Sequence, residues 1–478
     1  MKTSGAILVL IGAILTSSCG GGGGSPGTCN GSAAVCYGSN GTTSGSSVTA
    51  DGPQGTPDSL ANICTPSGEK VWVRAHLDDV YLWYKEIVNL SAASYSTPQD
   101  YFNALLVKSR DRFSFTASQS EIDGYFQSGE DIGYGMSLVN SSGNLRVTYV
   151  QPNSPAAQQN IGRGAQIVGI NGVAITQLNA ATQIAALYPS LAGAINKFDI
   201  LDTGTSIVRT VQITSTKISK LPVLQSTILT TNDNKKIGYL VFTDHIATAE
   251  DPLVTSLQNF RQNGIDELVL DMRYNGGGYL YIADILASMI GGKKVENQIF
   301  EQLQFNDKHP EKTNNPDNKF SFSTTGTKNQ LLPQLSLSRV FILTTANTCS
   351  ASEAVINGLS PFVQVITVGS TTCGKPTGFV QTNNCGTAYF AIQFSGVNSI
   401  GKGDYNNGFT PTCNAPDDLD HDLGSVSERQ LSSALAYVKT GSCPAVSAAQ
   451  KSMTSVNNNV IQGEQIRYPW RQNRILNK

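Results

Sequence analysis

The chain has 478 residues and a mass of 50.8 kDa, room for about two to four domains at roughly 100 to 200 residues each. Lys and Arg number 33 against 35 Asp and Glu, and the net charge of −2 leaves no basic field with which to wrap a nucleic-acid backbone. With 40% hydrophobic residues and a mean hydropathy of −0.14 there is apolar mass for ordinary cores, which excludes wholesale disorder.

Met1-Lys2 precedes an apolar run from Ala6 to Leu15, too short to span a bilayer as a mature helix but of the length found in the core of a signal peptide. Leu15-Thr-Ser-Ser-Cys19, followed by five glycines, resembles the cleavage and lipid-attachment site of a bacterial lipoprotein, with Thr16 where that pattern places Leu. The resemblance implies a signal peptide over residues 1–18, an acyl anchor on Cys19 and an exported cell-envelope protein; plain secretion is the alternative. Residues 19–60, rich in Gly, Ser, Thr and Asn, read as a flexible tether. The other eight cysteines (Cys29, Cys36, Cys64, Cys349, Cys373, Cys385, Cys413 and Cys443) form an even set, which in an exported chain implies disulfides. His76, His245, His309 and His421 are scattered and no CxxC occurs, so neither metal nor cofactor is expected.

Residues 61–128 read as a small helical domain. Val73, Leu77, Val80, Tyr81, Tyr84, Ile87 and Val88 share one helical face. Thr97-Pro98 starts a second helix that turns Tyr101, Phe102, Leu105 and Leu106 inward. Over residues 129–217 the texture is β: Leu145–Val150 alternates, Gln166–Ile170 runs into the tight-turn pair Asn171-Gly172, and Ile207–Ile213 adds a strand. Ser154-Pro-Ala-Ala157 with Gly162-Arg-Gly-Ala-Gln-Ile-Val-Gly-Ile-Asn-Gly172 resembles the signature of a bacterial PDZ domain, which places Gly133, Tyr134, Gly135 and Met136 in its carboxylate-binding loop. The implied partner is an extended peptide tail added to a sheet edge.

Over residues 218–440, apolar strands at Ile237–Phe242, Glu267–Met272, Val340–Thr345 and Val363–Val368 alternate with helices at Tyr281–Ile290 and Ser350–Leu359, the pattern of a largely parallel sheet covered on both faces. Residues 292–338 read as a polar insertion of surface loops. Residues 441–478 form an arm in which Arg467-Tyr-Pro-Trp-Arg471 could dock on the body.

Three motifs carry candidate chemistry. Ser350, at a strand-to-helix junction, would present its hydroxyl beside first-turn N–H groups, although Ser350-Ala-Ser-Glu353 is also a helix capping box. Lys375, in Gly374-Lys-Pro, can act as a base if burial strips its water. In Asp271-Met-Arg-Tyr-Asn-Gly-Gly-Gly278 the glycines allow close backbone approach to a substrate. In this order, behind a PDZ-like domain, the three resemble the carboxy-terminal processing (tail-specific) proteases, serine peptidases with a Ser/Lys dyad. The resemblance implies a ClpP/crotonase-like α/β core, Ser350 as nucleophile, Lys375 as general base, and oxyanion donors from Ala351 and one of Gly277 or Gly278. It also implies cleavage of extended or C-terminal segments of exported proteins through an acyl-enzyme. Many relatives carry glutamine four residues after the lysine; here Phe379 stands there, with Gln381 the nearest glutamine to orient the amine. That departure supports the alternative of an inactive peptide-binding scaffold. A Cys349–Cys373 disulfide would brace the two catalytic loops, Cys373–Cys385 is the competing pair, and Cys413–Cys443 would hold the arm. His245 has no acid partner by spacing and is assigned a structural or substrate-lining place.

Overall fold

Six strands form the central sheet, in the order Val223–Thr230, Lys236–Phe242, Glu267–Asp271, Arg339–Thr344, Gln364–Gly369 and Cys413–Asn414. All neighbours run parallel except the first pair. This computed structural model describes residues 52–141, 144–445, 464–466 and 474–476; the signal segment, Cys19, Cys29, Cys36 and Arg467–Arg471 lie outside them. Because strand side chains alternate between faces, the apolar runs divide between two cores. Leu240, Phe242, Leu268, Leu270, Val340 and Ile342 join one, shared with helices Glu250–Asn263, Leu280–Gly291 and Ala351–Leu359. Tyr239, Val241, Val269, Phe341 and Leu343 meet Leu431, Ala434 and Val438 of helix Arg429–Thr440 on the other face.

The N-terminal helices do not close a core of their own. Trp72, Leu77, Tyr81, Tyr101 and Phe102 belong to the same apolar cluster as the central sheet, and Phe115–Ser118 pairs antiparallel with Thr387–Phe390. The expected Thr97-Pro98 start is found, with Thr97 capping helix Pro98–Leu105. The first helix, Pro66–Val80, is shorter than its periodicity suggested. Tyr81 turns extended (ψ 134°), and Val88, placed inside by the pattern, is 69% exposed.

Residues 292–338 are also more than loops. Ile299–Phe305 and Lys319–Ser321 belong to a second six-stranded sheet and bury Phe300 and Leu303 in the main core. Glu301, itself buried, and the half-buried Gln302 interrupt the apolar pattern between them, which hid the strand.

The β region forms a PDZ-like domain with its own core, including Tyr134, Leu138, Val147, Ile167 and Phe198. Its sheet runs Met136–Ser141, Asn144–Val150, Gln166–Ile170, Ile195–Leu201, Val208–Thr214, with helix Ala180–Leu187 set against it. Asn171 and Gly172 take φ of 52° and 79°, the paired positive values a tight hairpin turn demands.

Candidate active site

Ser350 sits where the chain leaves strand Arg339–Thr344 and enters helix Ala351–Leu359. Its φ of 62° and ψ of −112° cost a side-chain-bearing residue about 1–3 kcal/mol and persist only where the surroundings impose them. The Oγ is buried and has no hydrogen-bond partner. The glutamate of the expected capping box does reach back, accepting the Ser350 N–H at 2.9 Å. The same Glu353 carboxylate accepts Thr372 Oγ1 (2.6 Å) and the N–H groups of Gly374 (2.8 Å) and Lys375 (2.8 Å). Burial pushes its carboxyl above the ordinary range, and those donors pull it back. One buried carboxylate thereby fastens the serine turn to the lysine loop.

Two further ties join the same segments: the Cys349–Cys373 disulfide, with Cα atoms 5.1 Å apart, and a Cys373 N–H to Thr348 carbonyl bond of 3.0 Å. The competing Cys373–Cys385 pair does not form, because Cys385 bonds Cys64; Cys413–Cys443 is present. Cys349, Glu353 and Cys373 cluster closely, but the sulfurs are bonded to each other and cannot offer thiolates to a cation.

Lys375 is fully buried. Its Nζ lies 3.9 Å from the ring centroid of Phe379 and 4.8 Å from that of Phe113. Phe379, in the place of the absent glutamine, thus packs its ring face on the amine. Gln381 does not take over the orienting part: its amide donates to Asp123 Oδ1 (3.1 Å) and Asn383 Oδ1 (3.0 Å).

The glycine loop is held from behind by Asn275, whose Oδ1 accepts the Gly277 N–H (2.9 Å) and faces His245 Nδ1 (2.9 Å), while its Nδ2 donates to the Phe242 carbonyl (3.1 Å). Burial lowers the His245 pKa to about 4, so the imidazole is neutral near pH 7 and Nδ1 donates to Asn275. The Gly277 N–H is committed to Asn275, which leaves Gly278 of the two candidate donors from this loop. Gly278 has φ 139°, and a Cβ there would sit 2.2 Å from the His245 carbonyl oxygen, so only glycine fits. Ala351 supplies a first-turn N–H of the kind a helix leaves without an internal partner.

Beneath the loop, Arg273 is fully buried and bonded to Asp271 (2.8 Å), Glu428 (2.7 and 2.9 Å) and Asp417 (3.0 Å). Arg163, from the Gly162-Arg-Gly signature of the PDZ-like domain, reaches the same Asp417 (3.0 Å) and Tyr274 Oη (2.6 Å). Burial alone would raise the Asp417 carboxyl, yet the Arg163 and Arg273 guanidiniums hold it below the usual range.

In the PDZ-like domain, Gly133 to Met136 line a pocket with Tyr149, Leu187, Tyr188 and Lys220. Gly135 has φ 83°, and a Cβ there would strike Ser154 Cβ at 2.2 Å. Sequence patterns alone assigned no role to Arg163, Phe113, Asn275 or Lys220; Arg163 and Asn275 lay within quoted motifs, and the other two carried no local signal.

Family models match along most of the folded region: a peptidase S41 N-terminal domain over residues 68–115, a PDZ domain over 126–191 and peptidase family S41 over 236–413. The chain carries a peptidase family S41 domain over residues 236–413. A carboxyl-terminal-processing protease of Picosynechococcus sp. is 28% identical over 258 residues, 53% of this chain and 56% of the relative, so the match spans little more than half of that relative's length. A crystal structure described as an S41 protease from Bacteroides fragilis superposes with a TM-score of 0.63 at 24% identity, covering 77% of this chain and 97% of that one. It shows a shared fold. Among the described residues no helix is long and apolar enough to cross a membrane.

Proposed function

We propose that this S41 chain is an exported serine endopeptidase acting on extended or C-terminal segments of proteins. The observation that carries the reading is the Glu353 carboxylate, which binds the backbones of Ser350 and Lys375 at once while the Ser350 hydroxyl stays buried and unpartnered. Such an arrangement serves a nucleophile and its base better than it serves a helix cap. In the mechanism the Lys375 amine takes the Ser350 proton as Oγ attacks the scissile carbonyl. The oxyanion forms beside the N–H groups of Gly278 and Ala351, and the leaving amine departs with the proton. Water then hydrolyses the acyl-enzyme. Each oxyanion donor is worth roughly 100- to 1000-fold in rate. The PDZ domain captures the substrate tail by strand addition, its terminal carboxylate at Gly133 to Met136. The three disulfides among the described residues suit an oxidising compartment, and an acyl group on Cys19 would hold the enzyme at a membrane.

Ser350→Ala and Lys375→Ala should each abolish cleavage of an unfolded protein while retaining the circular-dichroism spectrum, and only variants with Ser350 should be labelled by a fluorophosphonate. Undiminished turnover in the lysine variant refutes the dyad. The substitution of Phe379 for glutamine favours a second reading, a peptide-binding scaffold without turnover. Tail-peptide binding with no serine labelling of the native chain decides for it.

A further inference from the structure

Two edges of the molecule are occupied by its own chain. Glu464–Ile466 pairs antiparallel with Met136–Ser141, Glu464 opposite Asn140, Gln465 opposite Val139 and Ile466 opposite Leu138. Met136–Ser141 follows the carboxylate loop, and its other side is already paired with Asn144–Val150, so the segment takes the edge open to a captured tail, in the sense a β-augmenting ligand adopts. A few residues on, Arg474–Leu476 lies between Gly278–Tyr279 and Thr377–Val380 and runs parallel to both. Gly278 pairs with Arg474, Tyr279 and Phe379 with Ile475, and Val380 with Leu476. Without this strand the two edges would face each other across a gap of about two strand spacings, roughly 9.5 Å, which admits one extended peptide.

That slot adjoins the chemistry on both sides. One edge begins at Gly278; the other starts two residues after Lys375 and contains Phe379, whose ring covers the amine. Ile475 and Leu476 are 1% and 5% exposed and join the main core, so the strand is anchored by burial as well as by its ladder. Ile466 and Arg474 are eight positions apart in the sequence, so the two strands share one short tether.

We propose that the two strands Glu464–Ile466 and Arg474–Leu476 are built-in plugs that fill the PDZ edge and the active-site slot respectively and must be displaced before a substrate strand can enter. The proposal rests on the peptidase reading of the site. The order along the segment, PDZ edge first and slot second, is the reverse of that in a substrate captured by its terminal carboxylate, whose residues entering the slot precede the anchored end. The segment therefore competes for both surfaces without presenting itself as such a tail. Because both contacts are local strand additions on one tether, releasing one arm lowers the effective concentration of the other.

The test uses the full chain with Ile475→Asp, which puts a charge into the buried strand, and separately with Gln465→Pro at the PDZ edge. The probe is a fluorescent synthetic peptide of residues 460–478. The expected result is at least tenfold tighter peptide binding to Ile475→Asp than to the native chain, with at least a fivefold lower KM for an unfolded protein and little change in kcat. Gln465→Pro shows a smaller shift in the same direction. Equal peptide binding to native and variant chains, or an unchanged KM in both variants, overturns the plug. So does a variant that loses activity and regains it on adding the peptide, since the strand would then be a required part of the fold. Peptide binding needs no chemistry at Ser350: enhanced binding in the variants with no cleavage by any chain would sink the peptidase reading and leave the plug standing.

Discussion

Glu353→Gln separates a positioning carboxylate from an ordinary helix cap. Oε2 accepts the Ser350 and Lys375 N–H groups and Oε1 accepts Thr372 Oγ1 and the Gly374 N–H. An amide of the same shape must turn its NH2 toward one of these pairs. Facing Oε2's partners it would orphan two backbone donors, so it faces Thr372, whose hydroxyl can rotate to accept, and leaves only the Gly374 N–H unsatisfied. One such buried donor costs about 1–3 kcal/mol, and loss of charge from the remaining bonds costs about 1 kcal/mol each. Relief of the buried charge offsets part of this, leaving a net loss of about 2–4 kcal/mol, within the margin of a typical domain. The variant should fold, with a lower urea midpoint at unchanged slope. Its kcat should fall by about 100-fold, because displacement of reacting groups by an ångström costs that much, while KM and tail-peptide binding hold. Wild-type kcat in a variant of lowered stability would show that Glu353 supports the helix and nothing more.

Replacing Cys349 and Cys373 by serine releases a closed loop of 24 residues' separation and should cost about 3 kcal/mol, seen as a lower urea midpoint with a fall in kcat; no change in either removes the bracing role. Asp284 is raised by burial to about 6, against donors from Ser323 and Ser288. The folded state therefore holds this proton more tightly than the unfolded one. Stability from this group is greatest below about pH 4 and declines by about 3 kcal/mol as pH rises through 6; Asp284→Asn should flatten that part of the stability profile, and an unaltered slope refutes the assignment. Phe379→Leu keeps most of the packing but removes an aromatic face that favours the charged amine, so the acid limb of the kcat/KM profile should move to lower pH; a shift upward, or none, counts against the contact as an electrostatic influence.

Elements whose apolar residues repeat with one clear period were legible in the sequence. The four parallel strands and the turn at Asn171-Gly172 needed only local pattern, as did the cap at Thr97. Helix Pro66–Val80 was read too long because Tyr84 and Ile87 keep the helical spacing while packing from a one-turn helix and an extended stretch. Ile299–Phe305 was missed because its Glu and Gln residues dilute an alternation that only the second sheet explains. The serine, lysine and glycine loops were visible as motifs. What fastens them was not: Glu353 looked like a cap because its first partner is three residues away, while its other three come from a loop 19 to 22 residues on. Nor could spacing show that Gln381 turns to Asp123 or that Phe113 closes on Lys375.

The placement of these ties has a consequence for how the molecule divides its work. The serine carries an unfavourable φ, and that strain is opposed by a buried carboxylate, a disulfide and a backbone bond that tie the serine turn to the lysine loop. The glycine loop is likewise held from behind, by Asn275 and neutral His245. Facing the substrate are strand edges, which take any extended backbone and discriminate through side-chain pockets. Preorganisation belongs to the first set, since catalysis by fixed dipoles requires groups that do not reorganise during reaction. Adaptability belongs to the second. Substitutions behind the loops, at the Gly278 donor and at Phe379 beside the amine should therefore act on the chemical step, and those along strands Glu464–Ile466 and Arg474–Leu476 on KM, a division that follows from where the covalent and charged ties were built.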